Sequence, residues 1–128
     1  MDESAKVKRA WISVPKILCI ILAATLAWVF YVYAALHIRV SLAYEYITEF
    51  EQMRTEAIET SDVGEAVGKL RHTIRFYPSG STQFPGSKVD RIVETARSHA
   101  VRDIVAHLRK IAPKDLGDDS DGWLVEYR

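Results

Sequence analysis

Between Lys16 and Arg39 the chain reads ILCIILAATLAWVFYVYAALHI, a run that contains no Asp, Glu, Lys or Arg. About twenty helical residues, each rising about 1.5 Å, cover the roughly 30 Å of a bilayer's hydrocarbon core. In water the same helix would need protein on every side. The rest of the chain, about 90 residues, is too small to enclose it. The sequence therefore predicts one transmembrane helix over residues 17–38. A basic cytoplasmic N-terminus over 1–16 precedes it, and a helical stalk over 39–61 and a small helical extracytoplasmic domain over 62–128 follow.

Trp11 on one flank of the run, and Trp28, Tyr31 and Tyr33 toward the other, suit the headgroup layer, where an apolar ring with a polar edge is stable. Lys6, Lys8, Arg9 and Lys16 precede the span, whereas Arg39 and Arg54 are the first bases beyond it. That bias predicts an uncleaved signal-anchor, single-pass in the plasma (inner) membrane, with its N-terminus cytoplasmic and its C-terminal domain extracytoplasmic. Val32, Tyr33 and Ala34 also fit a signal-peptide cleavage site, which would leave a mature chain starting at Ala35. The apolar run is longer than the usual signal-peptide core, which favours the anchor. Ala23 and Ala27 give one small-xxx-small pair, through which two membrane helices can approach closely.

The formal charges cancel, with 17 bases against 17 acids, but they are not evenly spread. Ser41 to Glu65 holds seven acids and the single base Arg54, Ala66 to Lys114 holds ten bases and three acids, and Asp115 to Arg128 holds five acids and one base. A basic block flanked by acidic ones can neutralise them within a bundle, face anionic lipid or bind nucleic acid. The flanking acids favour the first, and the expected placement outside the cytoplasm argues against nucleic acid. Cys19 is the only cysteine and lies in the apolar run, which excludes an intramolecular disulfide. The chain has no Asn and so no N-glycosylation acceptor.

No Pro or Gly interrupts residues 16–63, so the membrane helix is expected to continue into the stalk. Leu36, Val40, Ala43, Ile47, Phe50, Arg54 and Ala57 fall on one stripe at four-then-three spacing, for packing within the chain or against a second copy. Asp62 with Glu65 predicts a capped second helix, with apolar positions Val63, Ala66, Val67, Leu70 and Ile74, that ends at Pro78-Ser79-Gly80. A loop containing Phe84 and Pro85 follows. Ser87 with Asp90 repeats the capping spacing and opens the longest soluble helix, which Pro113 stops. Its broad apolar face comprises Val89, Ile92, Val93, Ala96, Ala100, Ile104, Leu108 and Ile111. No stretch alternates with period two, so the expected fold is all-α: a transmembrane helix extended into a stalk, then a small antiparallel helical bundle with a docked C-terminal tail.

His99, Asp103 and His107 share one side of that helix, as metal ligands would. The two histidines lie about 12 Å apart along the axis, too far for one ion, so a margin histidine paired with Asp103 is the better reading. The tail DDSDG from Asp119 begins like a calcium loop, but with Gly122 at the glycine position the register puts Gly117 first and Arg128 last, where carboxylates belong. An acidic turn capping the segment around Trp123 fits better. No serine sits in a nucleophile-elbow setting, and YPSGSTQFPGS lacks the lysine of a phosphate loop. No catalytic, cofactor-binding or metal residue is therefore assigned, and no small-molecule substrate is identified.

The stretch LRKIAPKDLGDDSDGW resembles the end of bacterial HEAT-like helical repeats, through Leu108, Arg109, Asp115, Gly117, Asp119 and Trp123. Ala112 and Pro113 stand where that pattern has Thr-Gly. The resemblance implies an Asp/Gly turn that folds back so that Trp123 docks on the helices, and an interaction scaffold without chemistry of its own. The helix, loop and helix order also resembles small single-span bacterial membrane proteins of unknown function. The expectation is a non-enzymatic, membrane-anchored interaction module or accessory subunit of a membrane complex. Its partners would be the lipid bilayer and a membrane protein or a second copy. An extracytoplasmic ligand- or metal-binding domain is the alternative. Ile92, Ala96, Ala100, Ile104 and Leu108 are expected to hold the core, with Trp123 closing it.

Overall fold

The structure, a computed structural model, describes residues 3–77 and 86–128, with side chains from Val14 onward. The Pro78-Ser79-Gly80 stop, Phe84 and Pro85, and the side chains of Lys6, Lys8, Arg9 and Trp11 lie outside the described residues. Four helices follow in order: α1 (Glu3–Glu59), α2 (Val63–Phe76), α3 (Lys88–Ile111) and α4 (Ser120–Glu126). No strand occurs among the described residues, and the fold is all-α as expected. The chain divides into two compact units, Met1–Ile38 and Arg39–Arg128.

In the first unit α1 is already helical at Glu3, ahead of the segment expected to be helical, and it passes through Pro15. That residue lacks an N–H and takes one bond out of the backbone ladder. The most apolar 18-residue window of the helix has a mean hydropathy of 2.3, and none of it is buried. The helix is long and apolar enough to cross a membrane. Thr25, a polar residue inside the run, donates its hydroxyl to the Leu22 carbonyl at 2.8 Å, so its hydrogen bond stays within the helix.

In the second unit the remainder of α1 packs with α2, α3 and α4. Lys69 pairs with Glu56, His72 with Glu49 at 2.8 Å, and Tyr77 meets Tyr46 with ring centroids 5.1 Å apart, so α2 runs back along α1. Arg54 reaches Asp103 at 3.6 Å and His107 reaches the Thr60 carbonyl at 2.9 Å, which sets α3 alongside α1 in the same direction. One core cluster joins Ala57, Ala66, Val67, Leu70, Ile104, Val105, Leu108 and Trp123. A second joins Phe50, Tyr77, Val93 and Ala100, with Tyr46 against it. The stalk stripe is therefore split. Ala43, Phe50 and Ala57 turn into the unit's own core, whereas Leu36 and Val40 are exposed.

Both expected helix starts are capped, with different wiring. The Asp62 carboxylate accepts the Glu65 N–H at 3.1 Å. The return bond is relayed: Glu65 takes the Thr60 hydroxyl at 2.8 Å, and that hydroxyl accepts the Asp62 N–H at 3.2 Å. At α3 the Ser87 hydroxyl accepts the Val89 N–H at 3.1 Å, and Asp90, the expected reciprocal partner, is buried.

The expected core needs one correction. Ala100, Ile104 and Leu108 are buried, and Ala96 is partly so, but Ile92 is 58% exposed. The apolar face of α3 is wider than the arc its neighbours cover. Val105 and Met53, unassigned from the sequence, are buried instead.

Candidate functional site

The polar groups that pointed to chemistry are dispersed. His99 Nδ1 lies 2.8 Å from an Arg102 nitrogen, and Asp103 faces Arg54 and Arg102. His107 Nε2 lies 2.9 Å from the Thr60 carbonyl; because a carbonyl only accepts, Nε2 carries the proton. The expected pairing of a margin histidine with Asp103 is thus replaced: each of the three has another partner. Among the described residues no three His, Cys, Asp or Glu side chains gather closely enough to hold a metal ion. Treatment of the purified chain with EDTA is expected to leave its thermal melt unchanged. A lower melting temperature after chelation would show a structural metal.

The acidic tail is held as a turn. Arg109 grips Asp115 at 3.0 Å and Asp118 at 2.5 Å, and the Gly117 N–H donates to Asp115 at 2.8 Å. Gly117 has φ 78°, a left-handed conformation that glycine adopts at little cost. Asp119 caps α4 by accepting the Asp121 N–H at 3.1 Å. Trp123 is fully buried and donates its indole N–H to the Gly117 carbonyl at 2.9 Å. The chain therefore folds back at this turn and Trp123 docks on the helices.

The Gly117 N–H, and then the Arg109 guanidinium, hold the Asp115 carboxyl below the usual carboxylate range. A depressed folded-state value stabilises the fold above the unfolded-state pKa, and that contribution is lost as pH falls through the folded-state value. The difference in melting temperature between the natural chain and an Asp115→Asn variant is therefore expected at neutral pH, should begin to shrink as pH falls below about 4, and should vanish only below the depressed folded-state value. Paired thermal melts across that range would check it, and a difference that persists in acid would contradict it.

The basic block is divided between internal pairing and open surface. Lys69 holds Glu56 below its ordinary value, and Glu56 in turn raises Lys69. Lys114 reaches Glu126 at 3.4 Å. Arg97 pairs with Glu94, a neighbour on its own helix, at 2.7 Å. Lys88 and Arg91 have no ion-pair partner among the described residues.

Two recesses of opposite character flank the start of α3. Arg39, Leu42, Ala43, Tyr46, Tyr77, Val89, Asp90 and Val93 line a gap of about 10 Å³, room for on the order of one water. Burial, and then the nearby Asp90, push the Tyr77 phenol up. A second, shallow and mostly apolar groove is lined by Ile47, Lys88, Arg91, Ile92, Thr95 and Ala96. Sequence reasoning did not single out this groove. Its signal is Lys88, Arg91 and Ile92 at helical spacing on one side of α3, but the same spacing equally allowed Ile92 to face inward.

What the chain defines at this level is an all-helical protein with one helix fit to cross a membrane and a small domain that closes its own core. No family model matches it, and neither does any curated protein or solved structure.

Proposed function

We propose that the chain is a membrane-anchored, non-enzymatic interaction module, an accessory subunit of a membrane complex. Residues 17–38 cross the plasma (inner) membrane once, and the N-terminus stays in the cytoplasm. The observation that carries this reading is a contrast between the two units. The apolar window of α1 is wholly uncovered, while the second unit fills its interior with Trp123, Phe50, Leu70, Ile104 and Leu108. Water disfavours the first surface strongly enough to place it in lipid. The lysine and arginine excess before the span supports the orientation.

An interaction role is supported by how the polar side chains are used. His72, Lys69, His107 and Arg109 are engaged in joining one element of the fold to another. The HEAT-like turn at Asp115 to Trp123 points the same way, as a scaffold feature. Zero-length crosslinking of full-length chain in native membranes, followed by mass spectrometry, tests the proposal. The expected result is a discrete adduct with one membrane protein or with a second copy. Recovery of uncrosslinked monomer alone, at every crosslinker concentration, would contradict it.

A further inference from the structure

The amphipathic start of α3 has chemistry that suits lipid headgroups, and it lies beside the residues that follow the apolar run in the chain. Arg39 directly follows Ile38, the last residue of the apolar run. Val89 and Asp90 share one small gap with Arg39, Leu42 and Ala43. The first turn of α3 thus neighbours residues that directly follow the proposed span in the chain.

In that turn Asp90 is buried, whereas Lys88 and Arg91 line the mostly apolar groove. Neither has an acidic partner among the described residues, unlike Lys69, Arg97 and Arg109. Ile92 and Ile47 line the same groove, and Ile92 has more than half its surface open. Long cationic side chains reach phosphates while their stems and an adjacent isoleucine enter the acyl boundary, the pattern of interfacial segments that bind anionic lipid. A mostly apolar groove that carries these two cations is complementary to a layer of phosphates over acyl chains. A second copy would instead bring Lys88 and Arg91 against their own like charges.

We infer that Lys88, Arg91 and Ile92 form an anionic-lipid docking edge that fixes the helical domain against the membrane surface. This inference rests on the membrane-anchored reading above. Exchange of either cation is expected to lower the docked-to-undocked ratio roughly fivefold.

The test uses the full chain with Cys19→Ser and Ile92→Cys, the new thiol carrying an environment-sensitive fluorophore. It is reconstituted into vesicles of phosphatidylcholine alone or mixed with phosphatidylglycerol. Flotation with both compositions reports the anchor, and a chain that floats with neither overturns both readings. Given flotation, the expected result is a blue-shifted emission only with phosphatidylglycerol, reversed by high salt and lost in K88E/R91E. The same fluorophore at Val125→Cys, on the exposed side of α4, is expected to show no shift. Equal emission in the two vesicle types overturns the lipid edge while leaving the anchor standing. A shift that follows the chain-to-lipid ratio instead of lipid charge assigns the face to a second copy, and overturns it as well.

Discussion

An Ile104→Asp chain is expected to lose the cooperative melt of residues 39–128. Ile104 is fully buried in the cluster that contains Val67, Leu70, Leu108 and Trp123, so every element of the second unit touches its surroundings. Removing the aliphatic side chain forfeits about 1.5–3 kcal/mol of burial. A carboxylate at the same place has no partner, and it must either stay charged without solvent or bind a proton, at a further cost of several kcal/mol. Small domains are stable by only about 5–15 kcal/mol, so the sum is comparable with the whole. Circular dichroism in mild detergent should show the apolar helix persisting while the transition of the second unit disappears. Ile104→Val separates charge from volume, with an expected loss of about 0.5–1.5 kcal/mol. An unchanged melt in the Asp variant would mean that α3 does not pack by this face.

The second large effect is expected at Trp123. Trp123→Ala should cost about 3–5 kcal/mol, because the ring is completely enclosed and its removal leaves a large cavity in the core. The ring is also stacked with Tyr127 at a 6.1 Å centroid separation, so its loss frees the C-terminal turn as well. Trp123→Phe keeps most of the volume and deletes the indole donor to the Gly117 carbonyl, for an expected loss nearer 1 kcal/mol plus a packing defect. Chemical denaturation of the three chains would check the order. If alanine and phenylalanine variants were equally stable, the tail would not be closing the core.

The parts of this fold that were legible in the sequence are those decided within a few residues. Asp62 and Ser87 begin helices because a short polar side chain can satisfy an orphan N–H two or three positions on, whatever the tertiary context. Trp123 was expected to close the core from the resemblance of its Asp/Gly stretch, and in the fold the left-handed Gly117 and the Asp119 cap lie just before it. The apolar run was readable because uninterrupted hydrophobicity needs no partner to be recognised.

What was not legible depends on the angle between helices. Ile92, Ala96 and Ala100 are equally good apolar positions by periodicity, yet Ala100 is buried, Ala96 partly so, and Ile92 exposed. Val105 sits at the margin of the same pattern and is buried because α3 is rotated toward its side. The split of the stalk stripe has the same cause, since α2 and α3 cover Phe50 and Ala57 but leave Val40 bare. His99, Asp103 and His107 share a helix side by spacing, but long-range neighbours chose their partners: Arg54 for Asp103 and the Thr60 carbonyl for His107. No rule of sequence separation reports a partner 47 residues away.

The central physical claim is that the uncovered apolar part of α1 resides in lipid. Alkaline carbonate washing of cell membranes strips peripheral proteins and leaves integral ones, and ultracentrifugation then separates the two. Full-length chain is expected to remain quantitatively in the membrane pellet and to enter solution only with detergent. Its appearance in the carbonate supernatant, still at full mass, would contradict insertion of residues 17–38.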